Sequence, residues 1–395
     1  MGHTLGTAEL RDMVRTAIAY GKTRSIPLAP SVMTIPASNY YDPWRFEVEV
    51  DRIFKRIPLM LAPTAELPKP GDYKTMEVVG LPVLITRGQD GVARAFLNAC
   101  THRGANVATK ARGNAKRFVC PYHGWSFDQT GALRGVAAAE EFGDIDKGCY
   151  SLKALTTVER SGLIWVVLDR NSTLDVDAFL SGYDKLLERF GFRDWHFFEK
   201  RVIKGPNWKV AYDGYMDYYH IPVLHRETFG PDMLNQAIYS AFGPHQRVQF
   251  PLREYSDLEA TPEEAWPEAT LMDGVWTIFP HISIASFGGG GRGVMISQLL
   301  PGETVGESYT TQMYLMAEPP NGDEIAAAHE QFAFLRKVVE DEDYTTGFGL
   351  QKALKSGALD EVTFGRNETG AQRFHGWVDR IIGADDEDLN GLFTD

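Results

Sequence analysis

No segment of the 395-residue chain reaches 18 consecutive apolar residues, so no membrane-spanning helix is expected. Cysteine is scarce. Cys100, Cys120 and Cys149 are the only three, too few for a disulfide framework, and thiolates kept as metal ligands need a reducing compartment, so a cytoplasmic location is expected. Positive charge is in deficit: the formal net charge is −13, which argues against holding nucleic acid or an anionic membrane by bulk electrostatics. The first residues carry charges early and lack the apolar core of a secretory signal. Gly6 stands where a myristoylation signal has Ser or Thr. Internal repeats and low-complexity tracts are absent as well. What remains is ordinary globular material, 44% hydrophobic and 24% charged, enough for about two domains with full cores.

The periodicity changes twice along the chain. Residues 7–20 read as an amphipathic helix, with Leu10, Met13, Val14 and Ile18 on one face and Gly21 as its stop. After a proline-rich link (Pro27, Pro30, Pro36), Asp42-Pro43 opens a second helix expected to run to about Arg56. From 58 to 168 short alternating strands take over, around 75–86, 92–97 and 162–168, with a Gln89-Asp90-Gly91 turn. Beyond Asp169 come helical stretches at 177–190 and 206–228, strands near 275–287, 293–300 and 307–318, and helices near 323–343 and 370–382. Residues 384–395 read as a loose acidic tail. The expected division is a helical arm (1–57) packing on the last domain, a β-rich domain (58–168), an α+β domain (169–383) and the tail. Gly288–Gly293 matches GxGxxG, but strand-like Val294-Met295-Ile296-Ser297 follows instead of a helix. A hairpin turn accounts for it better than a nucleotide loop.

Two Cys–His pairs carry the chemistry: Cys100-Thr101-His102 and Cys120-Pro121-Tyr122-His123. Two thiolates and two imidazoles at CxH…CxxH spacing suit a [2Fe–2S] cluster with both Cys on one iron and both His on the other. Spacing alone leaves a structural Cys₂His₂ zinc open. The flanks are loop-forming (Arg103-Gly104, Pro121, Gly124-Trp125) and lack the helix of a classical finger. Cys149 has no partner at ligand spacing and is expected to be a small buried hydrophobe.

The run CTHRGA…CPYHGWSFDQTG resembles the Rieske domain of the Rieske non-haem iron oxygenases, the aromatic-ring-hydroxylating dioxygenase alpha subunit family. The resemblance covers about residues 40–382. It implies a β-rich Rieske domain followed by a helix-grip α+β domain built on an antiparallel sheet. It also implies that Cys100 and Cys120 bind one iron while His102 and His123 bind the solvent-side iron.

A catalytic metal would need further ligands. His220 and His225 are five residues apart, which on a regular helix would point them about 140° apart. Pro222 between them is the expected bend. Two His and one carboxylate form the facial triad of non-haem Fe(II) oxygenases. The acidic run Glu340-Asp341-Glu342-Asp343 is the candidate source of the carboxylate. EDYTTGFGLQ resembles the family's third-ligand segment, an Asp followed eight residues later by Gln, which selects Asp343 with Gln351. NWKVAYDGYMDYYHIPVLH resembles the catalytic helix, with Asp213-Gly214 where the family has Glu-Asn. Asp217, by the same resemblance, bridges His220 of one subunit to His123 of the next. A homotrimer or a multiple of trimers would follow from that bridge, and the monomer would be nearly inactive.

The implied function is the terminal oxygenase of a multicomponent system, with one [2Fe–2S] cluster and one Fe(II) per subunit. A ferredoxin or a flavin-dependent reductase supplies NAD(P)H electrons, and O₂ and a hydrophobic, aromatic or cyclic substrate are consumed. The alternatives are a monooxygenase or demethylase acting on a methylammonium compound, and a non-catalytic electron carrier. The expected substrate wall is Tyr212, Tyr215, Met216, Leu224, Ile284 and Phe287, with Val223, Ile282 and Met295 as further candidates. No basic cluster nominates an aromatic carboxylate. His245, His281 and His329 read as structural.

Overall fold

The computed structural model describes residues 6–23, 25–230, 235–250 and 253–393. Two seven-stranded antiparallel sheets organise these residues, with smaller two- and three-stranded sheets beside them. The first large sheet runs in the order Leu59–Pro63, Leu163–Val167, Ala154–Arg160, Ala93–Leu97, Leu81–Arg87, Asp72–Val78, Arg112–Asn114. Arg117–Val119, Ser126–Asp128 and Leu133–Gly135 form the three-stranded sheet next to it, and the two Cys–His loops lie at its margin. The second runs His196–Gly205, Ser308–Met316, Gly293–Pro301, Ile282–Phe287, Val275–Ile278, His245–Gln249, Ile238–Phe242. The strands at 196–205 and 238–249 were not legible in the sequence. The glycine-rich 288–293 segment is the turn joining two paired strands of this sheet.

The helix Trp208–Met216 packs on the second sheet and against the helix Thr369–Gly383, the helix-grip arrangement. Asn207 starts it: the side-chain oxygen accepts from the backbone N–H of Lys209 and Val210, satisfying donors a first turn leaves free. The Asn207 N–H donates to Gln351, whose amide also donates to Gly306. Gln351 is thus the strut that ties the later acidic segment to this helix.

Several expectations need correction. The 206–228 helix is not continuous. It ends at Met216 because Asp217 adopts an extended conformation (φ −97°, ψ 114°), and Pro222 instead lies in the first turn of the separate helix Ile221–Leu224. The expected 323–343 helix is α-helical over Asp323–Arg336 and widens into a π-helix over Lys337–Tyr344. Cys149 is exposed and its thiol donates to Asp146 at 3.3 Å, which pushes it above its ordinary range. The tail is docked as far as it is described: Leu389 and Phe393 are buried, and Phe393 stacks on Trp377. The first helix, Thr7–Thr23, packs against Arg253–Ala260 and Glu268–Leu271 of the second half.

One core group makes stability depend on pH. His245 is fully buried; its Nε2–H donates to the Phe179 carbonyl at 2.9 Å while Nδ1 accepts from the Phe279 N–H at 3.2 Å. A second ring proton would face a donor, and burial brings the group down to about 4. The unfolded imidazole titrates near 6.5, so the unfolded chain takes up the proton first as pH falls. Stability is therefore full above about pH 6.5 and is lost as pH drops towards 4, by about 3 kcal/mol at the limit. The denaturant midpoint should fall between pH 7 and pH 5 in the native protein and fall less in H245Q. An unchanged midpoint would count against it.

Candidate metal centres

The two Cys–His loops fold alike. The Cys100 carbonyl accepts from the Gly104 N–H and the Cys120 carbonyl from the Gly124 N–H, and both glycines have positive φ (84° and 70°). Each turn needs that backbone, which is why glycine closes both. Cys100 and Cys120 are buried, and His102 and His123 are half-buried above them, their rings 4.7 Å apart between centroids. His102 stacks on buried Trp125 at 4.9 Å. Burial and the neighbouring Cys120 thiol push the Cys100 thiol up, so a cation is needed to hold it as thiolate. His123 lies below its ordinary range through desolvation and the charges of His102 and Arg103, as a neutral ligand should.

The donor set also separates one metal from two. A single tetrahedral zinc, with bonds of about 2.0–2.3 Å, draws its ligand atoms to within about 4 Å of one another. Among the described residues only His220, His225 and Asp343 form a group of three or more ligand atoms within 4.8 Å. The wider Cys–His quartet fits a two-iron cluster.

In the second centre, the Nε2 atoms of His220 and His225 lie 3.2 Å apart, and Asp343 Oδ1 is 3.5 Å from the first and 3.0 Å from the second. Both imidazoles are oriented from behind. Asp217 Oδ2 is 3.1 Å from His220 Nδ1, and Glu342 Oε2 is 2.6 Å from His225 Nδ1. Each carboxylate fixes a ring and turns its Nε2 inward. The Thr228 hydroxyl donates to the other oxygen of Glu342. Burial works against a charged His220, but Asp217 and Asp343 outweigh it and carry the group up to about 9. Burial would likewise raise Asp343, yet its hydrogen bonds with the two His hold it below the usual range. The cluster thus stabilises positive charge where three inward donors meet, and it fits a divalent iron. Glu342 escaped the sequence reading; its signal was its place beside Asp343 in the acidic run. The π-helix carries both residues, and its extra residue per turn is a recurrent feature of functional sites.

A cavity of about 290 Å³ opens on this centre. Tyr215 and Phe287 line it, as does Met295. The other expected wall residues lie elsewhere. Tyr212 is buried with its hydroxyl on the Ile278 and Ile282 carbonyls, Met216 contacts Gln246, Ile284 and Ile282 are core, Leu224 is off the wall and Val223 is exposed. Strand alternation explains the pair at 282 and 284: Ser283, Ala285 and Phe287 face the cavity and the isoleucines face away. Unforeseen lining comes from Tyr218, Phe229, Phe250, Val338 and Asp273, and from Gly214, where an added Cβ would meet nothing within 4 Å. Asp213 points elsewhere, to Tyr40 at 2.7 Å and His375 at 3.0 Å.

Residues 58–155 match the Rieske [2Fe-2S] domain and residues 192–384 match the ring hydroxylating alpha subunit (catalytic domain). The chain is 34% identical over 195 residues to the carnitine monooxygenase oxygenase subunit of Acinetobacter baumannii, covering 49% of this chain and 52% of that protein. It is 30% identical over 207 residues to the glycine betaine monooxygenase oxygenase subunit of Chromohalobacter salexigens (52% and 45%). With the anthranilate 1,2-dioxygenase large subunit of Acinetobacter baylyi it shares 27% over 295 residues (73% and 58%). The chain spans about half the length of the curated relatives it matches. Among solved structures, the quaternary ammonium Rieske monooxygenase in complex with L-carnitine superposes with a TM-score of 0.74 at 23% identity, covering 88% of this chain and 95% of that one. Naphthalene 1,2-dioxygenase from Rhodococcus sp. gives 0.72 at 19% identity (95% and 99%), a likeness of fold. With a Rieske [2Fe–2S] domain and a ring-hydroxylating alpha subunit catalytic domain in series, the chain belongs to the Rieske oxygenases.

Proposed function

We propose that this chain is the terminal oxygenase component of a Rieske system, acting on a small organic molecule that carries a methylated ammonium group. The observation that carries the reading is the His220, His225 and Asp343 triad opening on a walled cavity, a feature an electron carrier does not need. Cys100, His102, Cys120 and His123 would hold the cluster, which supplies single electrons; the triad would hold Fe(II), which supplies O₂ activation. The chain's own residues do the rest. Asp217 and Glu342 keep both imidazoles turned inward, and the apolar wall excludes water around the bound substrate.

The substrate class rests on two supports. The relatives named above include glycine betaine and carnitine monooxygenase subunits. The cavity wall places Tyr215, Tyr218, Phe229, Phe250 and Phe287 around one space with Asp273, and no Lys or Arg is among the described residues that line it; aromatic faces attract quaternary ammonium groups. Electrons would come from a separate ferredoxin or flavin-dependent reductase.

A ring of subunits, as in a homotrimer, completes the proposal: Asp217 would join His220 to His123 of the partner subunit. One solved relative is described as giving insight into inter-subunit electron transfer. The test is to purify the red-brown protein, count iron, and measure product with a surrogate reductase. About three irons per chain and a hydroxylated or demethylated product are expected; two irons and no product would favour the carrier. Asp217→Ala should keep the cluster and most of the iron while turnover falls by about 10–100-fold, the loss typical of a ligand-orienting carboxylate. Unchanged turnover would remove Asp217 from the path.

A further inference from the structure

Away from the metal centre the cavity carries a row of polar side chains whose arrangement follows the sheet. Four residues stand directly opposite one another on adjacent strands: Arg201 pairs with Gln312, Gln312 with Ser297, and Ser297 with Ser283. Directly paired residues point to the same face. Gln312, Ser297 and Ser283 line the cavity, each at least 95% buried. Arg201 stands behind them, its guanidinium 3.7 Å from the Phe332 ring centroid.

The hydrogen bonding of this row is incomplete. Arg201 Nε donates to Gln312 Oε1 at 2.7 Å, which fixes the amide and leaves its NH₂ as the free end. Among the described residues the Gln312 side chain bonds only Arg201, and Gln312 and Ser283 both border the cavity. The Tyr215 hydroxyl is near Ser297 and Tyr344 yet makes no hydrogen bond. Arg201 Nη2 is buried and unpartnered too. Burial, with Arg336 adding, brings Arg201 down to about 10, so it remains a cation at neutral pH. Buried donors without partners are costly and normally few. Here the Tyr215 hydroxyl is one such group on the cavity wall and Arg201 Nη2 is another behind Gln312, on a cation that forms no salt bridge among the described residues and has Glu199 and Glu340 as its acidic neighbours.

We propose that Gln312, Ser283, Ser297 and the Tyr215 hydroxyl form a subsite for an anionic oxygen group of the substrate, a carboxylate, with Arg201 as the positioning residue that orients Gln312. The sequence carries no basic cluster for a carboxylate; a single cation acting through an amide would do the same work. The idea rests on the oxygenase reading and extends it: the substrate is a zwitterion, its ammonium end among the aromatic rings and its carboxylate on the floor.

Three probes separate the two ideas by equilibrium binding to the iron-loaded protein: 4-(trimethylammonio)butanoate, its methyl ester, and 5,5-dimethylhexanoate, the carbon isostere of the acid. The acid should bind about ten- to hundredfold more tightly than the ester, the range of a hydrogen bond to a charged group. Gln312→Glu keeps the acceptor that Arg201 needs but removes the donor, so it should lose the acid and keep the ester. Arg201→Met should weaken the acid about tenfold and spare the ester. Equal binding of acid and ester, equal weakening of both in Q312E, or no binding of either carboxylate would overturn the subsite. An isostere that binds as well as the acid would instead overturn the methylammonium reading and leave the subsite standing.

Discussion

Asp343→Ala protein should be red-brown, carry about two irons per chain instead of three, and form no oxygenated product. Among the described residues Asp343 is the carboxylate that groups with both inward imidazole nitrogens, its Oδ1 3.5 Å from His220 Nε2 and 3.0 Å from His225 Nε2. Without it the site offers only the two imidazoles and loses its inward negative charge. His220 is already carried up to about 9 by Asp217 and Asp343 together, so the centre needs that negative charge to favour a dication over a proton. Loss of a carboxylate that merely orients a ligand costs about 10–100-fold in affinity or activity, so loss of a ligand should exceed about a hundredfold. Among the described residues Asp343 pairs with His220 and His225 and not with the cluster loops at 100–104 and 120–124, which should keep their visible spectrum. Asp341→Ala is the control: that side chain is exposed and contributes no ligand atom, so iron content and turnover should be unchanged. Three irons per chain in D343A would remove Asp343 from the ligand set.

What the sequence made legible was what is local. Both Cys–His pairs sit within single turns, so residue spacing alone specifies their geometry, and the glycine that closes each turn follows the motif directly. His220 and His225 were visible for the same reason. The break that lets them converge was misplaced, because proline looks like a helix breaker wherever it falls, whereas here Asp217 leaves the helix to reach His220. Glu342 was hidden because its partner, His225, is remote in sequence and the acidic run also reads as a solvated surface. The cavity was misjudged for a simpler reason. Large apolar residues look like its wall in the sequence, but Ile282 and Ile284 fill the core while Ser283, Ala285 and Gly214 stand back to leave space. Short strands such as Ile238–Phe242, where Ser240 and Ala241 interrupt three large residues, carry too little alternation to be read.

A second large effect should come from far outside the metal centre. Glu49 and Lys209 are both fully buried and paired, and the Glu49 carboxylate also accepts from Trp208 Nε1 at 2.8 Å and Arg45 Nε at 2.9 Å. Burial alone pushes the Lys209 amine down, and Glu49 opposes that shift. Glu49→Ala would therefore strand an ammonium and an indole N–H in the core. Breaking a buried pair from one side costs about 3–5 kcal/mol, a large part of the roughly 5–15 kcal/mol that holds a domain together. For a domain of this size the melting temperature should drop by about 10 °C. Trp208 and Lys209 form the first turn of the helix that leads to Asp217, so iron should be lost on warming before the cluster colour fades. Removing both charges in E49L/K209M should recover most of the stability, since apolar replacement of a buried pair is often neutral or better. If the single and double variants melt together, the cost lies in lost packing and not in the stranded charge.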